Sequence, residues 1–149
     1  EAQPGFVEQI RRRLEGNHVD PAKVEIRCGL IGPGTGVLAG EGWKRASHSG
    51  SEAPKPLTMT DVLAPLGSDR VGFLKMDIEG SEFDLLKCDC DWLDRVDRLA
   101  AEIHARFGTP GTLVDLLQRK GFRTAWRDAD LRRSTPGDAD GYLYAWRET

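Results

Sequence analysis

Apolar positions in residues 5–15 fall at Phe6, Val7, Ile10 and Leu14, the spacing of a single helical face. Pro4 suits a first turn and Gly16-Asn17 a stop, so an amphipathic helix is expected there. The next segment, KVEIRCGLI at residues 23–31, alternates apolar with polar and then becomes wholly apolar, which predicts a strand with one face buried. TMTDVLAPLG, residues 58–67, predicts a short helix with Thr58 or Thr60 as its N-cap, ending by Gly67. RVGFLKMDI, residues 70–78, is nearly continuous in apolar residues from Val71 to Met76, broken by Gly72 and Lys75, and predicts a central strand covered on both faces.

Beyond it, GSEFDLLKC at residues 80–88 reads as a helix whose apolar contacts are Phe83, Leu85 and Leu86, and DWLDRV as a short helical or turn segment. DRLAAEIH, residues 97–104, is a second strand with a polar end, and residues 112–120 form a helix carrying Leu113, Val114, Leu116 and Leu117, stopped by Gly121. FRTAWRD and GYLYAWRE are alternating segments that flank a polar loop with Pro and Gly, as an antiparallel pair would. The succession of helices and strands predicts an α/β sandwich with a mostly parallel sheet.

Two stretches resist this periodic reading. GLIGPGTGVLAGEGW, residues 29–43, has the glycines of a phosphate-binding loop, but no helix follows whose N-terminus would face a ligand, so it reads as a turn between short strands. RASHSGSEAPKPL, residues 45–57, has loop composition, and His48 within it is read as solvated.

Composition narrows the class. The 149 residues suit one domain, 1–149. With 24 acidic and 21 basic side chains spread along the chain, the net charge is −3, which leaves no basic stripe for a nucleic acid backbone. No apolar run approaches the roughly 20 residues that span a bilayer, and no segment resembles a signal peptide. Cys28, Cys88 and Cys90 are odd in number, and the Cys88-Asp89-Cys90 spacing is too tight for a zinc knuckle, so they are read as free thiols of a cytoplasmic protein.

Chemistry gathers where two predicted strands end. Ligands of open α/β sheets bind outside the carboxyl ends of the strands, where loops and helix N-termini converge. The first such end runs Lys75-Met76-Asp77-Ile78-Glu79 and the second Glu102-Ile103-His104. Alternation sends Lys75, Asp77 and Glu79 to one side of the first strand and puts Glu102 and His104 on one side of the second. Neighbouring strands would thus surround one crevice with three carboxylates and an imidazole. Such a set can hold a hard divalent cation such as magnesium through Asp77, Glu79, Glu102 and His104, or take a proton from a hydroxyl through Asp77 or His104. The carboxylates repel one another, so a metal or the Lys75 ammonium is needed to keep them ionised. The competing reading is structural: Asp77 pairs with Lys75, Glu79 caps the next helix, and Glu102 pairs with an arginine such as Arg106.

These residues also carry a family resemblance. GFLKMDIEGSEFDLL, preceded by LTMTDVLAPLGSDRV and followed by WLDRVDRLAAEIH and LVDLLQRKGF, resembles the FkbM-type family of S-adenosylmethionine-dependent methyltransferases over about residues 1–122. The resemblance implies a Rossmann-like class I methyltransferase fold whose final strand is antiparallel, with S-adenosylmethionine as cofactor and a small-molecule hydroxyl, on a sugar or a secondary metabolite, as methyl acceptor. EAQP is similar to the acidic second-strand end of that family, which makes Glu1 the carboxylate for the cofactor ribose, with Ala2 where a proline is common. Asp77, Glu79, Glu102 and His104 match its two later strand ends. The family's first strand and glycine-rich turn precede that acidic end, so the chain is expected to be the C-terminal portion of such a domain, with the N-terminal strand or strands missing. Two other functions fit the same residues: a non-catalytic binding domain that keeps the fold, and a metal-dependent hydrolase.

Overall fold

The computed structural model describes residues 4–31, 56–87 and 90–148, and the chain divides into two compact units, Glu1–Thr58 and Met59–Thr149. Glu1, the glycine-rich stretch from Gly32 onward, His48 and Cys88 lie outside the described residues. No described helix is long and apolar enough to cross a membrane.

In the first unit, helix α1 spans Pro4–Gly16 as its apolar spacing predicts, and Val7 is its buried residue. Asp20 caps a 3-10 turn at Pro21–Lys23 by accepting the Ala22 N–H at 3.0 Å. The strand expected over residues 23–31 is a correction: only Leu30–Ile31 (β1) is strand, paired in parallel with Pro56–Leu57 (β2). No described strand lies alongside residues 24–28 to complete a ladder.

The second unit opens with a five-residue helix α2 (Met59–Leu63) and a 3-10 turn (Ala64–Leu66), closing at Gly67 as expected. It then builds a five-stranded sheet from β3 (Leu74–Met76), β4 (Arg98–Ile103), β5 (Arg123–Asp128), β6 (Arg133–Ser134) and β7 (Gly141–Trp146) in the order β3-β4-β7-β5-β6. This is a mixed α/β architecture. Helices α3 (Glu82–Lys87) and α4 (Pro110–Arg119) touch each other, and α4 lies against β5. Phe83 and Leu86 of α3, Leu113 and Leu117 of α4, and the alternate residues Leu99, Ala101 and Ile103 of β4 form one buried set with Leu143 of β7.

Two sequence expectations change here. Among the described strands the five-stranded sheet is not mostly parallel in its pairing: β3 and β4 are parallel, whereas β4–β7, β7–β5 and β5–β6 are antiparallel. The terminal strand β7 inserts between β4 and β5, so two strands of like direction are separated by one of opposite direction. Nor is β3 central among the described strands; it is an edge three residues long, prolonged by a single parallel bridge from Val71 to Val96, and Phe73 is 61% exposed. Gly72 and Lys75 lower the apolar density that suggested burial on both faces.

Candidate functional site

The parallel pair β3–β4 sets the site. Its register aligns Met76, the last residue of β3, with Ala101, two residues before the end of β4, so the polar residues after both strands emerge at one edge. After Met76 the chain turns sharply: Glu79 has φ 56° and Gly80 φ 100°. A glycine is required at position 80, because a Cβ there would run into the Phe107 ring. The close approach of Gly80 to Phe107 draws the loop after β3 against the turn after β4.

His104 follows β4 directly and is fixed through its backbone. Its carbonyl accepts the Phe107 N–H at 3.0 Å within the 3-10 turn Ala105–Phe107, and the next amide, of Ala105, donates to Asp140 Oδ1 at 2.7 Å. The His104 side chain is 12% exposed. Its Nε2 lies 3.6 Å from Oε2 of Glu79, whose side chain is 71% exposed, and its Nδ1 lies 3.5 Å from Oε1 of Glu82, whose side chain is fully buried. The imidazole thus bridges a solvent-facing carboxylate and an interior one.

Glu82 was missed by the sequence reading. It stands in the first turn of α3, and its Oε1 accepts the Ile78 N–H at 3.0 Å, so the backbone bond expected of Glu79 as a helix cap is made by the residue three further on. Burial pushes its carboxyl above the ordinary range, while the Ile78 amide and the neighbouring His104 act in the opposite direction. Neither its Oε2 nor His104 Nδ1 has a hydrogen-bond partner. A signal was available: positions 82, 85 and 86 share one helical face, and Leu85 and Leu86 mark that face as buried.

Of the expected donors, Asp77, Glu79 and His104 bring one ligand atom each within 4.8 Å of one another. Glu102 is not part of that group; it is half-buried in β4 opposite Tyr142. Lys75 reaches Asp77 Oδ2 at 3.2 Å, as the structural alternative foresaw, which supplies positive charge beside the carboxylates without a metal. Three oxygen and nitrogen donors of this kind suit a hard divalent cation, and the negative edge equally suits an organic cation.

The sequence profile described as the methyltransferase FkbM domain matches residues 35–124, which contain every one of these site residues. The chain is 39% identical over 66 residues to the 31-O-demethyl-FK506 methyltransferase FkbM of Streptomyces tacrolimicus, covering 43% of this chain and 25% of that protein. It is 34% identical over 83 residues to the AMB antimetabolite synthetase AmbE of Pseudomonas aeruginosa, covering 52% of this chain and 4% of that one. The matches therefore span a quarter or less of either relative's length. No solved structure matches the chain.

Proposed function

The chain belongs to the methyltransferase FkbM domain family, and from that membership we propose that it takes part in S-adenosylmethionine-dependent methylation of a small-molecule hydroxyl oxygen. The observation that carries the reading is His104, a nearly enclosed imidazole whose Nε2 faces the open carboxyl edge of two parallel strands. A Rossmann-like class I methyltransferase domain over residues 1–149 is part of the proposal, supported by the antiparallel β7 set into the sheet beside β4.

Bound S-adenosylmethionine would supply an electrophilic sulfonium methyl. The residues at the edge fit such a cation in charge, since Asp77 and Glu79 are carboxylates there and Lys75 balances the first of them. Glu1, the residue proposed for the cofactor ribose, lies outside the described residues. His104 Nε2 accepts the acceptor's hydroxyl proton, and Glu79 beside it stabilises the imidazolium that results. Asp77, on the same edge, orients the hydroxyl by accepting a hydrogen bond or shares the base role.

Transfer of labelled methyl from S-adenosylmethionine to a panel of sugar and polyketide alcohols tests the reading. The wild-type protein is expected to methylate at least one of them, and His104→Ala to lose about a hundredfold or more in kcat, the usual contribution of a general base. Undiminished turnover in His104→Ala would remove its role as base. A second reading adds a divalent cation such as magnesium at Asp77, Glu79 and His104, supported by their 4.8 Å grouping. It requires that a chelator stop turnover and that magnesium restore it.

A further inference from the structure

We propose that Glu82 is a positioning residue that holds His104 in a single tautomer, with the proton on Nδ1 and the lone pair of Nε2 turned to the open edge.

The argument runs through one oxygen. Glu82 Oε1 already accepts the Ile78 N–H at 3.0 Å, and the same atom is the one 3.5 Å from His104 Nδ1. An oxygen engaged as an acceptor by a backbone amide presents lone pairs to whatever else approaches it. The imidazole nitrogen facing it must therefore be the donor, since two acceptors would repel. The 3.5 Å gap is longer than a formed hydrogen bond, and it is of the size that closes when a site takes up its substrate.

The second carboxylate oxygen does not compete for the ring: Oε2 is buried and without a hydrogen-bond partner, and Oε1 is the oxygen that lies nearest Nδ1. Whether Glu82 is ionised or neutral, Oε1 remains an acceptor and Nδ1 its donor. At the other end of the ring Nε2 also meets a carboxylate, Oε2 of Glu79 at 3.6 Å, but that side chain is 71% exposed and free to swing aside for a substrate, whereas Glu82 is fully buried and fixed. The charged groups around His104 are thus Glu82 from α3, Glu79 and Asp77 from the end of β3, and Lys75 through Asp77. Asp140 is engaged with the Ala105 amide.

The fold supports this arrangement independently of chemistry. The Glu79-Gly80 reversal lets α3 begin directly beneath the strand edge, and the contact of Gly80 with Phe107 brings the turn carrying His104 over its first residue. A glutamate in an ordinary amphipathic helix would point to solvent. This one points inward to a histidine.

The consequence for turnover rests on the reading of His104 as the proton acceptor, whereas the tautomer itself does not. Long-range proton–nitrogen correlation spectra of uniformly nitrogen-labelled protein, at a pH where His104 is neutral and with His104→Asn to assign its signals, read the tautomer directly. The wild type is expected to show a protonated Nδ1 and an unprotonated Nε2. Glu82→Gln, which keeps a carbonyl oxygen for both contacts, should retain that pattern. Glu82→Met, which has no acceptor, should give a mixture or the Nε2-protonated form, with kcat reduced about tenfold to a hundredfold and KM changed little. A wild-type spectrum with the proton on Nε2 would overturn the proposal even if Glu82→Met does not fold, and so would an unchanged pattern in a folded Glu82→Met. If the pattern is as expected while His104→Ala turns over normally, the assignment of Glu82 stands and the base role of His104 fails.

Discussion

Gly80 shows how much one position decides. Its φ of 100° lies where side-chain-bearing residues are strained, and the space a Cβ would need is filled by the Phe107 ring. Phe107 is itself stacked under the Arg106 guanidinium, 4.6 Å from the ring centroid. Gly80→Ala is therefore expected to lose roughly 2–4 kcal/mol of stability, from backbone strain and overpacking together. Urea denaturation measures this, and a loss under about 0.5 kcal/mol would mean that the turn and the ring relax apart. Glu82 teaches the converse lesson. Its residue type suggests a surface position, yet its helical neighbours Leu85 and Leu86 bury it.

Among the elements, the end of β7 is joined to several segments of its unit through the Arg147 side chain. Arg147 donates Nη1 to the Lys120 carbonyl at 2.8 Å, Nε to Val96 at 3.2 Å and Nη2 to Leu93 at 3.3 Å, and its guanidinium lies 4.1 Å from the Phe122 ring centroid. These contacts join the terminal strand to the segment before β4 and to the end of α4. A lysine carries one nitrogen where this site uses three. Arg147→Lys should accordingly destabilise the protein by about 2–3 kcal/mol through carbonyls left without a donor, visible as a lowered Tm with unchanged far-ultraviolet circular dichroism at low temperature. The elements themselves were largely legible. Helix α4, strand β4 and the antiparallel partners β5 and β7 follow from apolar spacing, because each packs one face against a core. The short strand β6 was not, since Arg133-Ser134 lies within a polar stretch and pairs only with the end of β5, through Trp126 and Arg127.

For the molecule as a whole, the buried carboxylate links folding to pH. Burial raises the Glu82 carboxyl above the range it has in an unfolded chain. Between those two values the native state binds more protons than the unfolded state, so this group's contribution to stability declines as pH rises through that window. Wild-type protein should thus lose stability relative to Glu82→Gln as the pH is raised from the usual carboxylate range towards neutrality. Denaturation of both proteins across a pH series checks this; a constant difference, or one of opposite sign, would show that the carboxyl does not titrate in the raised direction.

The sequence alone determined the alternation of helices and strands in the second unit, the family, and two acidic strand ends on one edge. These are properties of residue type and spacing, which local periodicity and short motifs record. Which of those acids meet was decided by the tertiary structure. Asp77, Glu79 and His104 converge, Glu102 does not, and Glu82 enters from a helix that sequence spacing had assigned only an apolar role. The reason is geometric: strand register and the reversal at Glu79-Gly80 set distances between residues more than twenty positions apart, and no local pattern encodes a distance across that separation. FLKMDIEGSE announces that carboxylates stand at the edge of a sheet; only the fold reveals that the last glutamate of that stretch faces inward, toward a histidine on the neighbouring strand's end.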